Sequence, residues 1–381
     1  MRRMTLPLAL YIHMPWCVQK CPYCDFNSHA LRGEMQEQEY LQALLANFDS
    51  LLIHIQDREI YSIFIGGGTP SLFSAAAYEY LFAQLKQRVK FANNIEITLE
   101  ANPGTVDEQH FYGYRAAGIN RLSIGAQSFQ NDKLKKLGRI HETDNIYRAV
   151  EIAKKSGFDN FNLDLMFGLP QQSIEDALFD LQSAMDLKPT HLSWYQLTLE
   201  PNTFFYKHPP KLPNEDYLWE MQEAGQKSIA ANRYQQYEIS AYSLADRQCI
   251  HNLNYWQFGD YLGIGAGAHS KITNLKTGEI QRFANVKSPK LFMSGPLFLD
   301  KNETRILKNE ELGFEFMLNA LRLTQAIPKK LFIERTHGAL NLLEKPLGKA
   351  RNLNLLIEEN EHWQVTEKGQ RYLNELLELF L

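Results

Sequence analysis

The sequence predicts an α/β fold: a partial (β/α)6 barrel of the TIM type, followed by a mostly helical, winged-helix-like C-terminal unit. Three observations carry that expectation. Six short apolar runs alternate with amphipathic stretches, the intervals between runs are long enough for right-handed crossovers, and Gly, Pro and polar clusters follow directly on the runs.

The strands are expected at residues 8–13, 60–65, 95–99, 121–124, 161–166 and 191–197, and helices between them at 35–55, 75–90, 106–117, 143–156 and 173–186. Arg2 and Arg3 ahead of an apolar run imitate a signal peptide. His13 and Pro15 interrupt the run, however, and no small-residue cleavage site follows, so it reads as a first core strand in a cytoplasmic protein. Gly66-Gly67-Gly68-Thr69-Pro70, Glu100-Ala101-Asn102-Pro103, Gly125-Ala126-Gln127 and Gly168-Leu169-Pro170 each sit at a strand end. In a barrel of this kind the strand C-termini form the functional face, so four segments should converge on one mouth with the Cys-rich loop after the first strand.

Residues 201–216 hold Pro201, Pro209, Pro210 and Pro213 among Phe204, Phe205 and Tyr206, a pattern for a binding flap or a crossing connection. A strand is expected at 237–241, then a polar-aromatic stretch at 251–261 and a Gly-rich turn at 263–267. From about residue 310 the pattern is helical, with a hairpin turn at 360–362. Winged helices often read DNA. Here six Glu beyond residue 357 face only Lys368 and Arg371, which repels phosphate and favours a packing or partner-contact role. The division expected is a barrel at 1–200, an extension with the flap at 201–305, and the C-terminal unit at 306–381.

Composition removes whole classes of function. Forty Lys and Arg against 44 Asp and Glu give a net charge of −4, which provides no field for nucleic acid or an anionic membrane. No run approaches the ~18–20 apolar residues of a membrane-spanning helix. Four Cys in a reducing compartment point to metal or redox chemistry.

Cys17, Cys21 and Cys24 form a CxxxCxxC triad in the loop after the first strand. Thiolates so close cannot form two disulfides, and they can wrap one soft metal centre. A zinc ion with His13 or His29 as fourth ligand is one reading. An iron-sulfur cubane is the other: it normally takes four Cys, so three would leave one iron open.

The triad followed by GGGTP at the second strand end resembles the radical S-adenosylmethionine (SAM) superfamily. The likeness extends over nearly the whole chain to the family of oxygen-independent coproporphyrinogen III dehydrogenase (HemN) and its heme-chaperone relatives. That resemblance implies a radical SAM barrel with a [4Fe-4S] cluster on Cys17, Cys21 and Cys24, and SAM on the open iron. It places Tyr11 and Tyr23 beside the cluster, Gly67, Gly68, Thr69 and Glu100 around the cofactor, and Gln127, Arg139 and Asp164 at further SAM contacts.

Two departures favour the heme-chaperone branch. The decarboxylating enzyme has a fourth Cys two residues after the triad, where this sequence has Phe26; the remaining thiol, Cys249, is expected to be structural. In addition, His251-Asn252-Leu253-Asn254-Tyr255-Trp256 is similar to a heme-binding HNxxYW signature. An imidazole is a common axial heme ligand, Tyr255 and Trp256 could cover porphyrin edges, and Asn252 could orient His251. His269 is a second candidate. The resemblance then implies a protein that binds heme and delivers it to acceptors such as membrane respiratory enzymes, peripheral to the membrane through protein partners, and possible as a homodimer. Oxidative decarboxylation of coproporphyrinogen III is the alternative, and a partner-binding scaffold with a structural metal a third.

Overall fold

The computed structural model describes residues 6–105, 108–295 and 298–381; the expectations resting on Arg2, Arg3 and Val106 fall outside them. Six strands, β1 (Leu8–Met14), β2 (Ile60–Gly67), β3 (Phe91–Ala101), β4 (Arg121–Gln127), β5 (Phe161–Phe167) and β6 (His191–Gln196), lie side by side in chain order, all parallel. Helices Glu37–Ser50, Ala75–Lys86, Glu108–Ala117, Thr143–Lys155 and Ile174–Asp186 return the chain between them. Two of the helices start on serines that satisfy their first amides: Ser74 Oγ accepts from Ala77 N, and Ser173 forms a reciprocal capping box with Asp176.

Strand periodicity explains what fills each side of this sheet. Ile97, Leu99, Leu122, Ile124, Leu163, Leu165, Leu192 and Trp194 join helix residues such as Leu81 and Phe111 in one apolar core. Their neighbours of opposite parity, Thr98, Glu100, Arg121, Ser123, Asn162, Asp164, His191 and Ser193, face the barrel interior. The barrel is therefore dry and apolar outside its strands, and polar within.

Both edges of the parallel run continue. Asp260–Ile264 pairs parallel with β1, a seventh parallel strand where the sequence shows mainly a Gly-rich turn, and leads into antiparallel strands His269–Thr273, Ile280–Ala284 and Arg305–Ile306. On the other side, the single strand expected at 237–241 is two, Gln235–Glu238 and Ala241–Ser243, folded antiparallel against β6. The sheet stays open, with these additions at its edges.

The C-terminal part has its own core around Phe316, Phe332 and Trp363. Its wing, Leu356–Glu358 and His362–Val365, is the hairpin expected from the sequence, joined by Ile327–Pro328. Two arginines fasten it to the barrel extension: Arg322 lies over the Trp256 ring and 3.2 Å from Glu238, and Arg371 lies over Trp219 and 2.9 Å from Glu223. No helix among the described residues is long and apolar enough to cross a membrane.

Candidate functional site: the cysteine mouth of the barrel

The chain leaves β1 at Met14 and forms a loop pinned by a two-rung parallel ladder, Trp16 beside His29 and Cys17 beside Ala30. This brings Cys17, Cys21 and Cys24, all half-buried and free, to one side of a cavity of about 340 Å3 at the C-terminal ends of the strands. Gly67, Gly68, Thr69, Glu100, Gln127, Arg139, Asp164 and Tyr23 line the same cavity. Three of the four expected strand-end clusters thus converge on this cavity, and among the described residues Gly168-Leu169-Pro170 does not line it.

The glycines are there because the loop passes too close for side chains. A Cβ on Gly67, whose φ is +112°, would fall 2.4 Å from the His13 ring, and one on Gly68 would fall 2.6 Å from the Trp16 carbonyl oxygen. His13 itself is buried and held neutral, its pKa lowered to about 4 by burial. Its Nε2–H donates to Asn27 O at 2.9 Å, so Nδ1 accepts from the Tyr11 hydroxyl at 3.0 Å. Both ring nitrogens are engaged, and His13 is not available as a fourth metal ligand. His29 lines a different hollow, on the outer side of the loop.

Polar groups facing the cavity are held from behind. Gly67 N–H donates to Glu100 Oε2 at 3.1 Å. Burial, and then the Asp164 charge, push the Glu100 carboxyl up to about 8 against that bond. Asp164 is raised by burial although Ser123 Oγ (3.0 Å) and Asn162 Nδ2 (2.8 Å) donate to it. Gln127 takes a left-handed φ of 66° and accepts from the Tyr195 hydroxyl at 3.0 Å. Arg139 donates to Cys21 Sγ at 3.5 Å and to Gly125 O at 3.2 Å, while its buried Nε has no partner among the described residues. Burial pushes the Cys17 thiol up, against a hydrogen bond with Thr69. The Pro-rich flap reaches this loop: Phe205 N donates to Pro22 O at 3.0 Å, and its ring lies against Tyr23.

Three thiols around a cavity, two glycines that admit backbone contact, and an unsatisfied guanidinium nitrogen beside them fit a three-Cys [4Fe-4S] cluster and a small zwitterionic cofactor. Asn102, from the expected strand-end cluster, lines the mouth together with Tyr195, Ser123 and Ser193, which the sequence does not single out; the strand parity that Ser123 and Ser193 share with Asp164 is the signal that points to them. Tyr11 is not among the lining residues. Its ring stacks on Phe64 beneath the mouth.

The HNxxYW segment lies at the other end. Ile250–Trp256 is a short helix across the N-terminal ends of the strands, entered through buried Cys249, whose thiol is 3.5 Å from Glu96 Oε1. His251 is 1% exposed, with Ser62 Oγ 3.1 Å from Nδ1 and the Tyr255 hydroxyl 2.9 Å from Nε2. Gly67 is five positions beyond Ser62 along β2, roughly 16 Å of extended chain. Iron ligation by His251 therefore requires one of these two contacts to open. Tyr255 packs edge-on to Tyr261, Trp256 lies under Arg322, and exposed His269 heads the strand His269–Thr273.

This barrel, with a three-cysteine loop and glycine-rich second strand end at its mouth, defines a radical SAM protein. Residues 11–182 match the radical SAM superfamily and residues 307–372 the HemN C-terminal domain. The chain belongs to the HemW family. It is 53% identical to the heme chaperone HemW of Haemophilus influenzae and 50% identical to that of Escherichia coli, each over 98% of both chains. In fold it is similar to the coproporphyrinogen III oxidase HemN of Escherichia coli, with a TM-score of 0.83 at 22% identity, covering 100% of this chain and 91% of that one.

Proposed function

We propose that the protein is a heme chaperone, which binds heme and passes it to acceptor proteins from a cluster- and SAM-binding scaffold. The observation that carries this reading is identity of half or more, over nearly the full length, to two proteins of that name. Phe26 supports it, because a position that would otherwise offer a further thiolate beside the triad holds an exposed apolar ring.

In this reading Cys17, Cys21 and Cys24 hold three irons, and the fourth is left to the amino and carboxylate groups of SAM. When bound and reduced, such a cluster supplies the electron that cleaves SAM. The chain's own residues orient that cofactor. Gly67 and Gly68 let backbone approach, Glu100 and Asp164 accept from hydroxyl or ammonium groups, and Arg139 and Gln127 meet a carboxylate. Tyr23 lies beside the cluster and Thr69 with the cofactor, while the Tyr11 hydroxyl donates to His13 under the strand end. His251, Tyr255 and Trp256 form the floor of the barrel and contact heme only when that floor opens. The working division is 1–200 for cofactors, 201–305 for flap and floor, and 306–381 for partner contact, with the protein cytoplasmic, meeting membrane respiratory acceptors through protein surfaces and able to pair as a homodimer.

The other reading, oxidative decarboxylation of coproporphyrinogen III, is favoured by the retention of Gln127, Arg139 and Asp164 at the mouth. Anaerobic incubation of the reconstituted protein with coproporphyrinogen III, SAM and a reductant separates the two. No protoporphyrinogen IX should form, while heme added to the same preparation should co-elute with the protein. Turnover without heme capture would reverse the assignment.

A further inference from the structure

Resting on the chaperone reading, we propose that heme is first received in an open hollow on the outer flank of the cysteine loop, with the His29 imidazole as its axial ligand. The hollow has a volume of about 610 Å3, within the roughly 300–1,000 Å3 typical of small-molecule sites. Trp16, His29, Pro289, Lys290, Glu39 and Met293 are on its walls.

The hydrogen bonds around Asn27 fix the tautomer of His29. Asn27 Nδ2 donates to both Ala266 O and Lys287 O, each at 2.9 Å, so its Oδ1 must be the acceptor for His29 Nε2, 3.2 Å away. His29 thus carries its proton on Nε2 and its lone pair on Nδ1. A half-exposed imidazole held from behind by the Asn27 amide oxygen and the Lys287 backbone is an arrangement that suits a metal-binding histidine. His251, closed by hydroxyls at both nitrogens, lacks it.

The rest of the hollow suits a porphyrin. Trp16 and Pro289 give apolar wall, and Met293, half-buried on the short helix Pro289–Met293, brings a thioether, the second common axial donor for heme iron. Lys290 gives a propionate a cation to meet while Glu39 repels one, so the two edges of the ring are distinguished. An open site also suits a cargo that has to leave again.

Location adds a reason. Cys17 and His29 belong to the same ladder: His29 N donates to Pro15 O at 2.7 Å, and Leu31 N donates to Cys17 O at 2.8 Å. The imidazole and the first cluster ligand thus stand on adjoining rungs of one ladder.

Anaerobic heme titration of the full-length, cluster-reconstituted protein tests this, read by Soret absorbance with iron and sulfide measured on each sample. His29→Ala should weaken heme binding at least tenfold, with a shifted Soret band, and added imidazole should restore the band. Met293→Ala, outside the loop, should weaken binding several-fold with cluster content unchanged. Wild-type affinity in both variants would overturn the proposal, and so would loss confined to His251→Ala. Should His29→Ala lose cluster as well as heme, unchanged affinity in Met293→Ala overturns it. Wild-type protein that captures no heme would instead remove the chaperone reading, and this inference with it.

Discussion

His251 Nε2 and the Tyr255 hydroxyl stand 2.9 Å apart in the barrel floor, one turn of helix from each other, with Ser62 Oγ closing the second ring nitrogen. The first role this geometry gives the HNxxYW segment is structural. Tyr255→Phe should lower stability by about 1 kcal/mol, one hydrogen bond, and His251→Ala by roughly 2–4 kcal/mol, since it also leaves a cavity. Urea unfolding measures both; a His251→Ala variant as stable as the wild type would show that the imidazole is not part of the packed floor.

Gly67 and Gly68 carry the sharpest steric requirement in the mouth. Gly68→Ala puts a methyl carbon 2.6 Å from a backbone oxygen that has no freedom to move aside, so the cysteine loop must shift. SAM affinity by calorimetry should fall at least tenfold. Wild-type affinity would mean that the strand end and the loop do not meet at the cofactor.

Glu100 makes the ligand-free protein sensitive to alkaline pH. Burial foremost, and then Asp164, place its pKa at about 8, above the ordinary carboxylate value. A carboxyl that holds its proton more tightly when folded contributes stability fully below the unfolded value, and loses it as pH rises through about 8. Glu100→Gln, neutral at every pH, should show a flatter melting temperature between about pH 5 and 9, a span running from just above the ordinary ~4.3 to beyond the raised value, and exceed the wild type at the upper end. Parallel curves would contradict this.

Asp260 has the opposite sign. Burial alone would raise its pKa, but Lys271 and Arg58, at 2.9 and 2.6 Å, hold the carboxyl below its usual range. Its contribution is present above the unfolded value and lost as pH falls through the folded one. Asp260→Asn leaves two buried cations unpaired and should cost about 3–5 kcal/mol. Denaturation midpoints at neutral pH check it.

The barrel strands were legible because each is a short apolar run ended by Gly, Pro or a polar cluster, as at Ile65-Gly66 and Met166-Phe167-Gly168. The cofactor mouth was legible for the same reason, since parallel strands bring their C-termini together whatever the loops contain. What local pattern does not encode is pairing across the chain. His251 reads as a free ligand until Ser62 and Glu96, 189 and 155 residues away, are found against it. The strand Asp260–Ile264 reads as a turn because Gly263 is small for a reason outside its segment: a Cβ there would strike the His269 carbonyl oxygen at 2.2 Å. Asn27, which fixes His29, has no sequence signature at all.

The most direct measurement is heme hand-off from the loaded, cluster-bearing protein to a heme-free acceptor, followed by absorbance under anaerobic conditions. A chaperone should retain about one heme per chain through gel filtration and release it on addition of the acceptor. Heme that washes off the column, or that stays bound when the acceptor is added, would contradict the assignment.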